Sequence, residues 1–348
     1  MTQKADRDGF GVRQAEMTAR WFENVKRTHD DIEAYIATRH AAYLDRWKEA
    51  ARFINDDANI LDIGGGNLYP ALVTFIKKRG FRYNYLDVDP SCVEASRNLA
   101  ESLDLRHSTF RHGYNDALDF ADGSIEAVFS SHCLEHSIDL DRTLTELNRV
   151  LADKGNMLMA VPLGWEDSPD HPYFFGPQEW VTLVTDVGFR IRVAQIGCEY
   201  PEHGYDYFIS AQKTSKPGRR RLDPGDYRKT SFDFISCFDD RISYKGYSLA
   251  QADHIIMIEQ DWTIEIAVPP GATEVLPILN RHSWSGIVEV CWGGHTAVED
   301  LYSWFPYAQP LRIANSGPTA LESVKIRYRG KSPVSHAGQG VLFGVLVR

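Results

Sequence analysis

The spacing of apolar residues between positions 55 and 214 predicts alternating strands and helices. Apolar runs predict strands at 59–63, 82–88, 125–131, 156–161 and 189–196, and a weaker strand at 105–111. Apolar residues at helical spacing predict helices at 69–79, 90–102, 139–151 and 177–187. This alternation is typical of a parallel sheet with helices on both faces. The run at 205–212 follows without a helix, so we expect it to pair antiparallel with 189–196.

The N-terminal segment, residues 1–54, has a helical pattern of its own. From residue 12 to residue 54, apolar residues recur at helical spacings, with charged residues between them and neither proline nor glycine. This pattern predicts a pair of amphipathic helices. We expect their apolar stripe, which includes Trp21 and Phe22, to pack on the following domain. The alternative is a lid that closes over a ligand.

The composition changes after residue 214. Between Lys213 and Lys229 there are seven basic and two acidic residues, with two prolines and two glycines, which predicts a linker at 215–230. A clamp for an anionic group is the alternative. Beyond the linker, apolar residues alternate with polar ones, as at 262–268, 288–292 and 324–328, and 341–347 is a further apolar run. Short alternating strands between turns predict an all-β domain at 231–348, a sandwich or a jelly roll.

Charge and composition restrict the partners and the location. The chain of 348 residues has a formal net charge of −10, which argues against a broad nucleic-acid-binding face. The five cysteines form no C-x-x-C pair of the kind that binds zinc. The N-terminus has no apolar signal core, and no apolar run has the ~18 residues of a membrane span. We therefore expect a soluble, cytoplasmic protein.

The segment NILDIGGGNLYPA, residues 59–71, places three glycines directly after a predicted strand. A glycine turn between a strand and a helix lets a ligand approach the main chain closely. The strand before the turn contains Asp62, and a second predicted strand ends in another acid, Asp87. Asp87 could accept hydrogen bonds from ribose hydroxyls. The dinucleotide pattern G-x-G-x-x-G is not completed, because Asn67, Leu68 and Tyr69 follow Gly66. The layout indicates a nucleotide-like ligand without identifying it.

Five segments, in order, resemble the class I S-adenosylmethionine-dependent methyltransferases, in particular their small-molecule branch. They are ILDIGGGN, YLDVDP, DGSIEAVFSSHCLEH, LNRVLADKGNMLMAVP and VTDVGFRI, and the resemblance covers about residues 55–214. It implies a Rossmann-like, doubly wound, mostly parallel sheet of seven strands with S-adenosylmethionine as cofactor. The cofactor contacts that it implies are Asp62, Gly64, Gly65, Gly66, Asn67, Asp87, Val88 and Ser131. The acid that contacts adenine in the family aligns with Tyr114, so we assign the adenine edge to the neighbouring Asn115 or Asp116.

Three histidines are candidates for the base that takes a proton from the methyl acceptor. His132 follows the fourth predicted strand, where ligands of open α/β sheets bind, and histidine titrates near neutral pH. His136 lies one helical turn further on, and His171 lies in the loop after the fifth strand. In that loop we expect Asp170 to orient His171, and Tyr173 or Phe174 to form pocket walls. A turn anchored by its aromatic residues is the alternative.

No metal site is predicted. Glu135, Asp139 and Asp141 could hold a magnesium ion, but carboxylates near the start of a helix are more often caps.

The all-β domain offers aromatic side chains but no catalytic constellation. Indole faces stack well on sugar rings, and Trp304 and Tyr307 lie in a predicted loop, although packing inside a sandwich explains many of the aromatic residues. We therefore expect O-methylation of a carbohydrate, either a nucleotide-linked sugar or a surface polysaccharide. Methylation of another small metabolite at oxygen or nitrogen, with a β-domain that mediates homo-oligomers, is the first alternative. A binding module on an inactive methyltransferase scaffold is the second.

Overall fold

The computed structural model describes residues 2–28, 30–66, 68–200, 204–214, 219–314 and 321–348. The chain divides into two compact units. The α/β unit comprises Met1–Pro162, Ser168–Pro172 and Gln178–Pro224, and the β unit comprises Leu163–Asp167, Tyr173–Pro177 and Gly225–Arg348. The loop after the fifth strand is therefore shared between the units, which the chain order alone does not indicate. No helix in the described ranges is long and apolar enough to cross a membrane.

Two helices open the α/β unit, α1 (Thr2–Thr28) and α2 (Ile32–Ala50). The carboxylate of Asp31 accepts a hydrogen bond from the Ala34 amide at 2.9 Å and caps α2. The ring of Trp47 stacks on Phe129 with centroids 3.6 Å apart, so α2 packs on the sheet as expected. Helix α1 begins ten residues before the predicted start and runs through Gly9 and Gly11. The side chains of Trp21 and Phe22 lie outside the described part of the chain.

The α/β unit contains the predicted seven-stranded sheet, counted over the described residues. Its strands are β1 (Asn59–Ile63), β2 (Arg82–Asp87), β3 (Ser108–His112), β4 (Ile125–Ser131), β5 (Leu151–Val161), β6 (Phe189–Tyr200) and β7 (Gly204–Lys213). Its helices are α3 (Pro70–Arg79), α4 (Pro90–Ser102), α5 (Leu140–Val150) and α6 (Pro177–Asp186). The strand order is β3-β2-β1-β4-β5-β7-β6. Only β7 runs antiparallel to its neighbours, β5 and β6, which confirms the expected pairing.

The register of the parallel strands places the candidate site. Ile63 lies opposite Leu86 on β2 and Ser130 on β4, and Asp87 lies opposite His112 on β3. The carboxyl ends of β1, β2 and β4 therefore meet at one edge of the sheet. Ligands of open α/β sheets bind at that edge.

The β unit is antiparallel, as expected of an all-β domain. Its strands are β8 (Asp233–Ser236), β9 (Ile242–Ala250), β10 (Ile255–Ala267), β11 (Glu274–Arg281), β12 (Gly286–Trp292), β13 (His295–Asp300), β14 (Tyr307–Pro310), β15 (Ile313–Ala314), β16 (Ser323–Lys331) and β17 (Gly340–Val347). Strand β10 changes partner along its length, because residues 255–257 pair with β17 and residues 263–267 pair with β16. Such a change lets one sheet fold around its own core. Trp262, Ile264 and Ile266 are buried there, on the alternate positions that the sequence pattern predicts.

Candidate active site

In the glycine turn after β1, Gly64 packs against the protein and Gly66 faces open space. Gly64 has φ 63°, and its amide donates to the Leu86 carbonyl at 2.8 Å. A β-carbon at Gly64 would lie 2.6 Å from the β-carbon of Cys133, so the protein itself fills that side. Gly66 also has a left-handed φ, 58°, but a β-carbon there would meet no atom of the described residues within 4 Å. The open space that a ligand needs is therefore at Gly66, not at Gly64.

Asp62 lies beneath the turn. Its Oδ2 accepts a hydrogen bond from the Tyr83 hydroxyl at 2.7 Å, and a β-carbon at Gly65 would lie 2.8 Å from the same oxygen. Burial raises the pKa of Asp62 to about 7. The hydrogen bond from Tyr83 lowers this pKa, and the charge of Asp87 raises it further. This position supports a role for Asp62 in orienting the turn.

Asp87 ends β2 with its carboxylate close to the turn. Its Oδ2 accepts hydrogen bonds from the Tyr85 hydroxyl at 3.0 Å and from the Gly66 amide at 3.3 Å, and Oδ1 accepts one from the Asp89 amide at 2.9 Å. Burial raises the pKa of Asp87 above its ordinary value, although these hydrogen bonds oppose the shift. A carboxylate has about four acceptor positions, so at least one is left for a ribose hydroxyl.

The other expected cofactor contacts lie around the same edge. Val88 is half-buried, and its carbonyl lies 3.1 Å from Nε2 of His112. Asn115 donates to the Ser137 hydroxyl at 3.1 Å and accepts from the Thr143 hydroxyl at 3.2 Å, and its Oδ1 has a second acceptor position. Asp116 is buried and Ser131 is half-buried. Asn67 lies outside the described residues.

His132 is surrounded by charged groups after the end of β4. Its Nδ1 lies 3.5 Å from Oε1 of Glu135, and its Nε2 lies 3.5 Å from Oδ2 of Asp206. Asp206 is 0% exposed and also forms an ion pair with Arg46 of α2. His132 has φ 51°, an unusual left-handed backbone for a residue with a side chain. The cluster brings together residues of α2, β7 and the segment after β4.

The charges around His132 disfavour its predicted role as general base. Burial disfavours the imidazolium, but the Tyr43 phenol and the carboxylates of Asp206 and Glu135 outweigh it and raise the pKa of His132 to about 10. A histidine that is already protonated at neutral pH cannot accept a second proton. The sequence around His132 does not predict the raised pKa, because Asp206 lies on a strand far along the chain.

His136 and His171 lie side by side, with ring centroids 4.6 Å apart. Nδ1 of His136 lies 2.6 Å from the backbone carbonyl of Asp170, so this nitrogen carries the proton and Nε2 carries the lone pair. Burial lowers the pKa of His136, although Glu135 opposes the shift. Glu135 lies 3.9 Å from Nε2 of His136. The structure therefore brings two of the three predicted histidines together beside a buried carboxylate.

The predicted substrate contacts in the loop after β5 need correction. Asp170 contacts His136 through its backbone carbonyl, and its carboxylate lies 3.6 Å from Arg20. Phe174 is 2% exposed and packs with Leu276 and Ile278 in the core of the β unit. Tyr173 is buried in the same unit. Packing of these two rings within the β unit anchors the loop.

Sequence reasoning missed Arg46, Asp206 and the hydroxyls of Tyr83 and Tyr85. The charged residues left a signal, because Arg46 interrupts the apolar face of α2 and Asp206 interrupts an apolar strand. A charge at such a position needs a buried partner. The tyrosines left none, since aromatic residues are common in strands.

Comparison with known proteins supports the family resemblance. Residues 61–159 match a family model described as a methyltransferase domain. The uncharacterized protein YafE of Escherichia coli strain K12 is 30% identical over 123 residues, which are 30% of this chain and 58% of that protein. Sarcosine/dimethylglycine N-methyltransferase of Halorhodospira halochloris is 25% identical over 145 residues, 41% of this chain and 51% of that protein. The chain thus spans about half the length of these curated relatives.

Solved structures of methyltransferases are similar to about half of the chain. One from Aquifex aeolicus is 16% identical, with a TM-score of 0.42 over 49% of this chain and 90% of that one. The 1,6-didemethyltoxoflavin-N1-methyltransferase of Burkholderia thailandensis, solved with S-adenosylhomocysteine, is 17% identical, with a TM-score of 0.43 over 56% of this chain and 90% of that one. The family match agrees with the resemblance of the motifs: residues 61–159 are similar to a methyltransferase domain.

Proposed function

We propose that this protein transfers a methyl group from S-adenosylmethionine to a small-molecule acceptor. The observation that carries the proposal is the open side of the glycine turn at Gly66, which lies beside the carboxylate of Asp87. The matched methyltransferase domain spans both residues.

The residues fit the cofactor chemically. S-adenosylmethionine has no phosphate and carries a sulfonium cation, so its site needs carboxylates and bare backbone and no basic cradle. Residues 62–66 contain an aspartate and three glycines and no Lys or Arg. Asp87 would hold the ribose, and Gly66 would leave room for the ligand along the backbone. The cofactor supplies a methyl group that is already activated, so the protein contributes mainly alignment of the acceptor.

For the acceptor, we propose a carbohydrate hydroxyl. The supporting observation is that Trp284 and Trp304 of the β unit are 50% and 59% exposed, which is unusual for indoles. Exposed indole faces are suited to stacking on sugar rings. Tyr307, by contrast, begins β14 and is half-buried, stacked on Phe305 at 5.2 Å.

A nitrogen acceptor in a small metabolite is the second candidate. It is favoured by two relatives, the sarcosine/dimethylglycine enzyme and ajmaline N-methyltransferase of Rauvolfia serpentina, whose names state N-methylation. The ajmaline enzyme is 29% identical over 103 residues, 29% of this chain and 35% of that protein.

Binding and turnover experiments separate these possibilities. Titration of the full chain with S-adenosylhomocysteine should show saturable heat, and its absence would favour an inactive scaffold. Transfer of a labelled methyl group is then measured on nucleotide-linked sugars, polysaccharide ends and small amines. Trp284→Ala and Trp304→Ala should raise KM for a sugar acceptor without changing cofactor affinity. Val334→Ala, an exposed apolar residue of the same unit, is the matched control. Methylation of amines alone would overturn the carbohydrate assignment.

A further inference from the structure

Glu135, His136 and His171 form a cluster that contains two of the candidate bases and one buried carboxylate. One potential ligand atom from each residue lies within 4.8 Å of those from the other two. The cluster is distinct from the acids Asp139 and Asp141 considered in the sequence. Asp139 caps α5 by accepting from the Arg142 amide at 3.0 Å, and Asp141 pairs with Arg220 at 3.2 Å.

The carboxylate of Glu135 lacks the hydrogen bonds that a buried charge requires. Its side chain is 4% exposed. Neither oxygen has a hydrogen-bond partner among the described residues. The nearest nitrogen, Nδ1 of His132, lies 3.5 Å from Oε1. A buried carboxylate normally accepts several hydrogen bonds, so a single ion pair leaves Glu135 with acceptor positions for a further cation.

His136 is oriented as a metal ligand is. Its Nδ1 bonds the Asp170 carbonyl at 2.6 Å, which leaves the lone pair on Nε2, the nitrogen 3.9 Å from Glu135. Metal-bound histidines usually donate their second N–H to a carbonyl or a carboxylate, which fixes the ring and its tautomer. The imidazole of His171 reaches the same point from the loop after β5.

We propose that Glu135, His136 and His171 bind one divalent transition-metal ion of the Zn²⁺ type. Two imidazoles and one carboxylate are a ligand set that zinc takes in sites that keep a position open for water or substrate. His132 lies behind this cluster and forms ion pairs with Glu135 through Nδ1 and with Asp206 through Nε2, each at 3.5 Å. If the proposed methyl transfer also holds, the open position would bind and polarise the oxygen of the acceptor.

The test uses untagged full-length protein stripped of metal with a chelator, and Co²⁺ as a coloured stand-in for Zn²⁺. One equivalent of Co²⁺ should give visible absorption bands that Zn²⁺ then abolishes. Glu135→Gln and His171→Ala should each weaken binding by at least about 10-fold, because loss of a direct ligand costs no less than loss of a group that only orients one. Asp141→Asn, an acid at the nearby helix start, should bind like the wild type.

Several outcomes would overturn the site: no saturable binding by the wild type, undiminished binding by His171→Ala, or an equal loss in Asp141→Asn. His171 is half-buried, so its variant tests the site even if Glu135→Gln fails to fold.

The titration contains no methyl donor. Stoichiometric metal binding without methyl transfer to any acceptor would therefore refute the proposed function and leave the site standing, whereas transfer by a protein that binds no metal would do the reverse.

Discussion

Gly64 and Gly66 both have a left-handed backbone, but the structure gives them different tasks. Gly64 avoids a collision with Cys133, whereas Gly66 faces open space. Gly64→Ala should therefore destabilise the fold. Gly66→Asn should leave the free energy of unfolding within about 1 kcal/mol, because asparagine tolerates this conformation. It should weaken binding of S-adenosylhomocysteine at least tenfold. Calorimetric titration and thermal unfolding of both variants measure this, and a Gly66→Asn protein that binds normally would contradict the assignment.

Asp62 makes stability depend on pH in a direction opposite to that of most carboxylates. Its pKa of about 7 is above the ordinary 3.8, so the folded state holds an extra proton between these values and stability falls as pH rises through them. The full cost, on the order of 4 kcal/mol as an upper bound, is present above pH 7.

Asp62→Asn should remove that cost. The free energy of unfolding of the variant minus that of the wild type should be larger at pH 8 than at pH 4. Urea denaturation at the two pH values measures this difference. The exposed Asp153→Asn should show no such difference. Equal effects of Asp62→Asn at both pH values would mean that Asp62 is charged throughout.

At the scale of elements, much of the α/β unit is predictable from periodicity. Strands β1 and β4 and helix α4 have the predicted bounds, because each is an uninterrupted pattern between clear turn or cap residues. The start of β5 was missed, because Lys154, with φ 61°, and Gly155 resemble a turn although pairing with β4 begins at Leu151.

The candidate site was only partly predictable. The motifs identify the turn and Asp87, whose roles are local. The state of His132 depends on partners that meet only in the folded chain, and the burial of Phe174 depends on strands of the β unit. Pairings of this kind leave no trace in local spacing.

The contact between Arg46 of α2 and Asp206 of β7 tests how strongly this helix is held. Asp206→Asn removes the carboxylate shared by Arg46 and His132 and leaves both cations without it, so unfolding should become easier by about 3–5 kcal/mol. Lys48→Ala removes a solvent-exposed pair with Asp45 on the same helix and should cost under about 1 kcal/mol. Urea denaturation of the two variants gives the comparison, and equal costs would show that the buried pair adds nothing.

At the scale of the whole molecule, association of copies through the β unit stays a prediction. The exposed Phe234, Phe238 and Tyr247 are apolar surface that such contacts could use. Light scattering during gel filtration measures the solution mass. A monomeric mass at all concentrations would remove this role from the β unit.

The interleaving of the two units makes a prediction that chain order alone would not. Phe174 lies between segments of the α/β unit in the sequence, but it packs in the core of the β unit. Phe174→Ala should cost about 3–5 kcal/mol, the usual price of emptying a buried phenylalanine site. Hydrogen exchange should then accelerate in β11, which supplies Leu276 and Ile278, and stay unchanged in β2. Faster exchange in β2 with β11 unaffected would mean that this ring stabilises the α/β unit, as its position in the sequence suggests.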